Sequence, residues 1–142
     1  VAGSDPAGWA AAADLARLTF TAPAASGARG AHLPVPACRG LHSYLPDGTQ
    51  ACWRHGLDGT FAVDVERRAV PPPHLAARWH GPAEEFWEAW VTAEVVAKLT
   101  RTPVLTLAAR GLPVPVPSAV DALVVREGDL VACFGRLRGV VP

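Results

Sequence analysis

Residues 79–138 read WHGPAEEFWEAWVTAEVVAKLTRTPVLTLAARGLPVPVPSAVDALVVREGDLVACFGRLR, and this stretch decides the fold. A helix opens at His80-Gly81-Pro82, where proline occupies a first-turn position whose N–H would go unused. Glu84 and Glu85 then stand at the positive end of the helix dipole. Phe86, Trp90, Ala93 and Ala97 recur at helical spacing on one face, which Trp87 and Val91 widen. Glu94 precedes Lys98 by one turn, the favourable order for an ion pair along a helix. Pro103 stops the helix near Thr100. Val104-Leu105-Thr106-Leu107 reads as a short strand, followed by a loop with Gly111, Pro113, Pro115 and Pro117. Two apolar runs, Val120–Val125 and Leu130–Phe134, flank Glu127-Gly128-Asp129 and predict a hairpin.

Upstream of this unit the signals are shorter. Ser4-Asp5-Pro6 is a helix start, and Trp9, Ala13, Leu15 and Leu18 predict a short amphipathic helix to about Leu18. Residues 21–37 are small, Gly- and Pro-rich and unperiodic, a linker. Three strands are expected around Leu41–Leu45, Ala51–Trp53 and Thr60–Val65, separated by Pro46-Asp47-Gly48-Thr49 and Leu57-Asp58-Gly59-Thr60. They read as a three-stranded antiparallel meander. Pro71-Pro72-Pro73 is a stiff spacer into the main helix. The expected organisation is therefore a helix and linker over 1–37, a meander over 38–70 and a helix–strand–hairpin unit over 71–142. The class is α+β: a small mixed sheet with a flanking helix, preceded by the meander.

With 142 residues, half of them hydrophobic, the chain can bury a core as one domain or slightly more. Formal net charge is zero, so no global field draws it to nucleic acid or membrane. The apolar runs are too short for a membrane span. Cys38, Cys52 and Cys133 show no CxxC spacing, and their odd count fits a reducing cytoplasm; a Cys38–Cys52 pairing is the alternative. No signal peptide is visible. The first residue is Val, so the chain reads as a piece of something longer.

Asp121 is the leading candidate for chemistry. It lies one residue into a strand, after a Pro-rich loop, with Glu85 and Glu88 on the preceding helix. A carboxylate so placed suits a hard divalent cation, which would polarise a phosphate and activate water. The structural alternative is a carboxylate that caps the loop or faces solvent. Arg101, Arg110, Arg126, Arg136 and Arg138 are candidate phosphate contacts, with Trp79 as a stacking partner, against the alternative of solvated surface positions. Cys38 with His42 and Cys52 with His55 have loose zinc-like spacing, which surface turns explain as well. Trp87 and Trp90 are read as core.

The order of helix with Glu, strand, strand with Asp, then hairpin resembles the front half of the PD-(D/E)XK restriction-endonuclease fold. VDALVVREGDLVACFGR is similar to the hairpin of nucleases fused to cyclic-oligoadenylate-sensing (CARF) domains of type III CRISPR defence. The resemblance covers roughly residues 60–139. It implies that Gly81 and Glu85 open the helix and that Asp121 is the strand aspartate. The family's Glu-x-Lys then falls on Phe134 and Arg136, and the acidic residue two before the Asp falls on Ala119. Phenylalanine cannot ligate a cation, and arginine does not give up a proton. No Asp or Glu lies between Asp129 and Pro142 to replace the lost ligand. The family fold also continues beyond the third strand, where this chain stops.

The resemblance thus implies a truncated, catalytically degenerate nuclease-like domain: Asp121, Glu85 and Arg136 form a remnant site without metal, and Arg101, Arg110, Arg126 and Arg138 face nucleic acid. Its role would be scaffold or nucleic-acid contact in a CRISPR-type effector in the cytoplasm, with nucleic acid and further domains or chains as partners and no membrane. No cofactor is expected, unless an active nuclease with a displaced ligand (Glu85, Glu88 or a partner's group) takes Mg²⁺ or Mn²⁺. A small α+β interaction module without nuclease ancestry is the third reading.

Overall fold

The computed structural model describes residues 8–23, 40–55 and 60–139. The α+β class holds, with two three-stranded antiparallel sheets and a few helices. The first sheet has the order β1 (Leu18–Thr21), β3 (Gln50–Trp53), β2 (Leu41–Tyr44). The second has the order β4 (Phe61–Arg67), β6 (Leu130–Leu137), β5 (Val120–Glu127). A short helix α1 (Gly8–Ala12) precedes the first sheet. Between β4 and β5 come α2 (Pro73–Ala76), α3 (Phe86–Thr100) and α4 (Val104–Ala108).

The main helix forms as its spacing dictates. A 3₁₀ turn over Ala83–Glu85 leads into α3, and Phe86, Trp87, Trp90, Val91, Ala93 and Ala97 are all buried. Arg101 ends the helix in the left-handed conformation (φ 53°), its N–H donating to Ala97 O. The hairpin also forms as expected. Gly128 sits at its turn with φ 58°, which a side chain rarely adopts.

β6 is buried on both faces, so its apolar run is continuous rather than alternating. Val131 and Cys133 join a core with α3. Ala132 and Phe134 join a second core with Trp9, Leu41, Trp53, Val63 and Val65. Gly135 lets the helix settle onto the strand: a Cβ there would lie 2.3 Å from Val95 Cγ1 and 3.1 Å from Leu99 Cδ1.

Three local expectations need correction. Val104–Leu107 is helical, not a strand. Pro103 sets the N-cap and accepts from Thr106 N and Leu107 N at 3.0 and 3.2 Å. Val104, Leu107 and Ala108 then turn inward at helical spacing, a pattern that so short an apolar run does not reveal. Leu18–Thr21, placed at the end of a helix and the start of a linker, is an edge strand on β3, with Leu18 opposite Trp53. The third strand of the expected meander leaves its neighbours: β2 pairs with β3, but β4 pairs with β6. The helix start at Ser4–Pro6 and most of the 21–37 linker lie outside the described residues.

Candidate functional site

Asp121 stands on β5 directly opposite Arg136 of β6. Arg136 Nε donates to its Oδ2 at 2.9 Å, and Arg138 Nε donates to its Oδ1 at 2.6 Å. Both carboxylate oxygens are therefore taken by guanidinium groups. The hydrogen bond from Arg138, with that from Arg136 added, holds the carboxyl below the usual aspartate range despite some opposing burial. Arg136 also lies 5.1 Å from the centre of the Trp9 ring, a cation–π contact that fixes the guanidinium further.

Phe134 shares the Asp121 face of the sheet but is fully buried, with its ring edge-on to Trp53 at 4.9 Å. The position that would carry a cation's oxygen ligand is an anchor of the second core. Glu85 is exposed at the start of α3 and does not reach Asp121. The ion pair of Glu88 with Arg126 shows where that end of the helix lies. Arg126 is five residues along β5 from Asp121, or about 17 Å at strand rise. The remnant site read from the sequence is thus not assembled: Asp121 and Arg136 meet, and Glu85 belongs to the far end of the sheet.

The candidate arginines do not share a surface role either. Arg136 and Arg138 are engaged by Asp121, and Arg126 by Glu88. Arg101 is an exposed helix cap, and Arg110 edges a groove between α3, α4 and the Pro-rich loop. Trp79 donates its indole N–H to Pro82 O at 2.8 Å. Among the described residues, no three His, Cys, Asp or Glu side chains converge to hold an ion. Cys52 is disulfide-bonded, which removes it from the zinc-like spacing with His55; Cys38 lies outside the described residues. Cys133 is a free, buried thiol whose pKa burial pushes up to about 12, so it is no nucleophile at neutral pH.

No known family, curated protein or solved structure matches this chain.

A polar group of a different kind lies between β4 and α3. Asp64 is 5% exposed. Its Oδ1 accepts from Lys98 Nζ and from Ser43 Oγ, each at 3.0 Å. Lys98 Nζ also donates to Val63 O at 2.8 Å, and the Ser43 hydroxyl accepts from Val65 N at 3.2 Å. Asp64 Oδ2 has no hydrogen-bond partner among the described residues. Burial raises the Asp64 pKa in spite of the ammonium and the hydroxyl. Glu66, two residues on along the same strand face, is pushed up to about 8, first by burial and then by the charges of Asp64 and Glu94. Glu94, one turn from Lys98, is pushed up to about 7 by burial and by Asp64.

The sequence held a trace of this cluster. Asp64-x-Glu66 puts two carboxylates on one face of a strand, and Glu94 and Lys98 share a helix face. What it could not show is that the two faces meet. Two carboxyls that exchange protons around neutrality can donate or accept them there.

The cluster makes stability depend on pH. Unfolded, Glu66 and Glu94 titrate near 4.5; folded, they hold their protons to about 8 and about 7. Between those limits the folded chain binds more protons, so stability falls as pH rises. Melting is expected to be highest near pH 5 and several degrees lower near pH 9, a loss of about 1–2 kcal/mol once the partial exposure of both groups is allowed for. Glu66→Gln should flatten the profile. Calorimetric melts across this range check it, and a profile flat in the native chain would refute it.

Proposed function

We propose that the chain is a nuclease-like α+β unit that has lost catalysis and serves as a scaffold, or as a nucleic-acid contact, within a larger CRISPR-type defence effector. The occupation of Asp121 by two guanidinium groups carries this reading. A divalent cation would have to displace both arginines and would find a buried aromatic ring at the neighbouring ligand position. The packing of α3 against the β5–β6 hairpin supports the nuclease-like part. Arg101 and Arg110 are the arginines of the predicted set left for phosphate contacts. A cytoplasmic setting belongs to the same reading; the disulfide at Cys52 weighs against that part of it, since reducing compartments keep thiols free. No described helix is long and apolar enough to cross a membrane.

The second reading is an interaction module of separate origin. One observation favours it: the strand beside the hairpin is β4, which precedes the helix, and the segment that follows the helix is α4. Salt-dependent binding of RNA or DNA separates the two readings.

The purified chain, with Mg²⁺ or Mn²⁺ and single- or double-stranded DNA or RNA, is expected to cleave none of them, and Asp121→Ala to behave as the native chain does. Robust metal-dependent cleavage that Asp121→Ala abolishes would overturn the proposal.

A further inference from the structure

Away from Asp121 and from the Asp64 cluster, a cavity of about 440 Å³ opens between α1, the 3₁₀ turn at Leu15–Arg17 and the end of β3. Arg17, Arg54 and His55 supply its charged and titratable lining, and among the described residues no carboxylate lines it. The ion pairs among the described residues lie elsewhere: Asp121 with two arginines, Glu88 with Arg126, Asp129 with Arg67, and Asp64 with Lys98. Arg17 and Arg54 form no ion pair with any described residue. The nearest acidic neighbour in sequence, Asp14, turns its carboxylate to the backbone N–H of Ala16 at 3.0 Å.

The wall behind these groups is built rather than loose. Trp53 is 1% exposed, and its indole N–H donates to Ala12 O at 3.0 Å, tying the cavity floor to α1. His55 stacks on Trp53 with ring centres 5.1 Å apart and meets Phe61 edge-on at 5.0 Å, which holds the imidazole plane. Burial lowers the His55 pKa, so near neutral pH it presents a neutral ring with one N–H to donate.

We propose that this cavity binds a phosphate dianion, either free or as the monoester of a small molecule. The physical reason is the donor set. Two arginines and a histidine line one space, and guanidinium and imidazole N–H groups suit the terminal oxygens of a tetrahedral anion. With no carboxylate among the described lining residues and no ion pair from these to Arg17 or Arg54, their potential is left for a ligand to neutralise. The volume leaves room for a small group on the ester oxygen.

Calorimetric titration at low ionic strength tests the proposal, with inorganic phosphate, AMP and adenosine as the probes. Phosphate and AMP are expected to bind saturably and adenosine not to bind. AMP tighter than phosphate would identify an organic monoester as the better occupant, and equal affinities would identify the phosphate group alone. Arg17→Ala and Arg54→Ala should each weaken binding about tenfold or more, the scale of one lost hydrogen bond between charged groups. Arg67→Ala, whose guanidinium is paired with Asp129 at the hairpin turn, should change nothing. Both substituted side chains are exposed, and an unchanged melt confirms that each variant folds; should either fail, Arg17→Gln and Arg54→Gln replace them. No saturation by about 10 mM phosphate, weaker than the range of ordinary small-ligand binding, would overturn the proposal. So would equal affinity in the Arg17→Ala/Arg54→Ala double variant.

Discussion

Phe134→Glu is expected to leave no folded protein at room temperature. The substitution places the family's glutamate where the hairpin matching puts it, and the structure says why this would not rebuild a site. Phe134 is fully buried and packs with Trp53, Val63 and Val65. Removing such a ring alone costs about 3–5 kcal/mol. A carboxylate put in its place has no free cation beside it on the strand, because Arg136, two residues on along β6, is held by Asp121; burying it adds several kcal/mol more, as ionisation or as proton uptake. The sum is comparable with the whole stability of a domain, about 5–15 kcal/mol. Far-UV circular dichroism and a thermal melt read the outcome. A cooperative melt near the native temperature, rising further with Mn²⁺, would show that position 134 can return to a metal site.

Lys98→Ala should have the next largest effect. The ammonium satisfies Val63 O and the inner carboxylate of Asp64 at once. Its loss strands a 5%-exposed aspartate that already has one oxygen without a partner. Breaking one side of a buried ion pair costs about 3–5 kcal/mol, and the partly exposed lysine puts this case at the lower end, about 3 kcal/mol or roughly a 10 °C drop in melting temperature. Asp64 can soften the loss by taking up a proton, so the drop should be smaller near pH 5 than near pH 8. Lys98→Met combined with Asp64→Leu removes both charges and should recover most of the stability. A double variant as unstable as Lys98→Ala would mean that the pair is needed for geometry rather than for compensation.

The parts of the fold carried by local pattern could be read from the sequence. Phe86, Trp90, Ala93 and Ala97 mark α3 because a helix brings such residues to one face wherever it packs. Glu127-Gly128-Asp129 marks the hairpin because the turn and the two strands are contiguous. Val104–Leu107 failed because a four-residue segment with three apolar side chains fits a buried strand and a helical turn equally well, and Pro103 decided between them. β1 was missed although Leu18-Thr19-Phe20-Thr21 alternates; four residues after a helix start carry little weight on their own. The partner of β4 is a long-range choice that no local pattern encodes.

The candidate site divides along the same line. Asp121 was found, and its neighbour Arg136 as well, because both lie in one hairpin with a countable register. Its distance from Glu85 was hidden because it depends on which end of α3 lies over which end of β5. The Asp64 cluster was hidden because Ser43, Asp64 and Lys98 come from three separate elements.

The bare backbone of Gly135 ties two of these features together. Val95 and Leu99 rest on that residue, and Lys98 sits between them in sequence, so the approach of helix to strand also sets how far the ammonium extends toward Val63. The position thus acts as a spacer of zero thickness. A sequence that carried any side chain there would have to retune the polar contacts above the strand along with the packing beneath the helix.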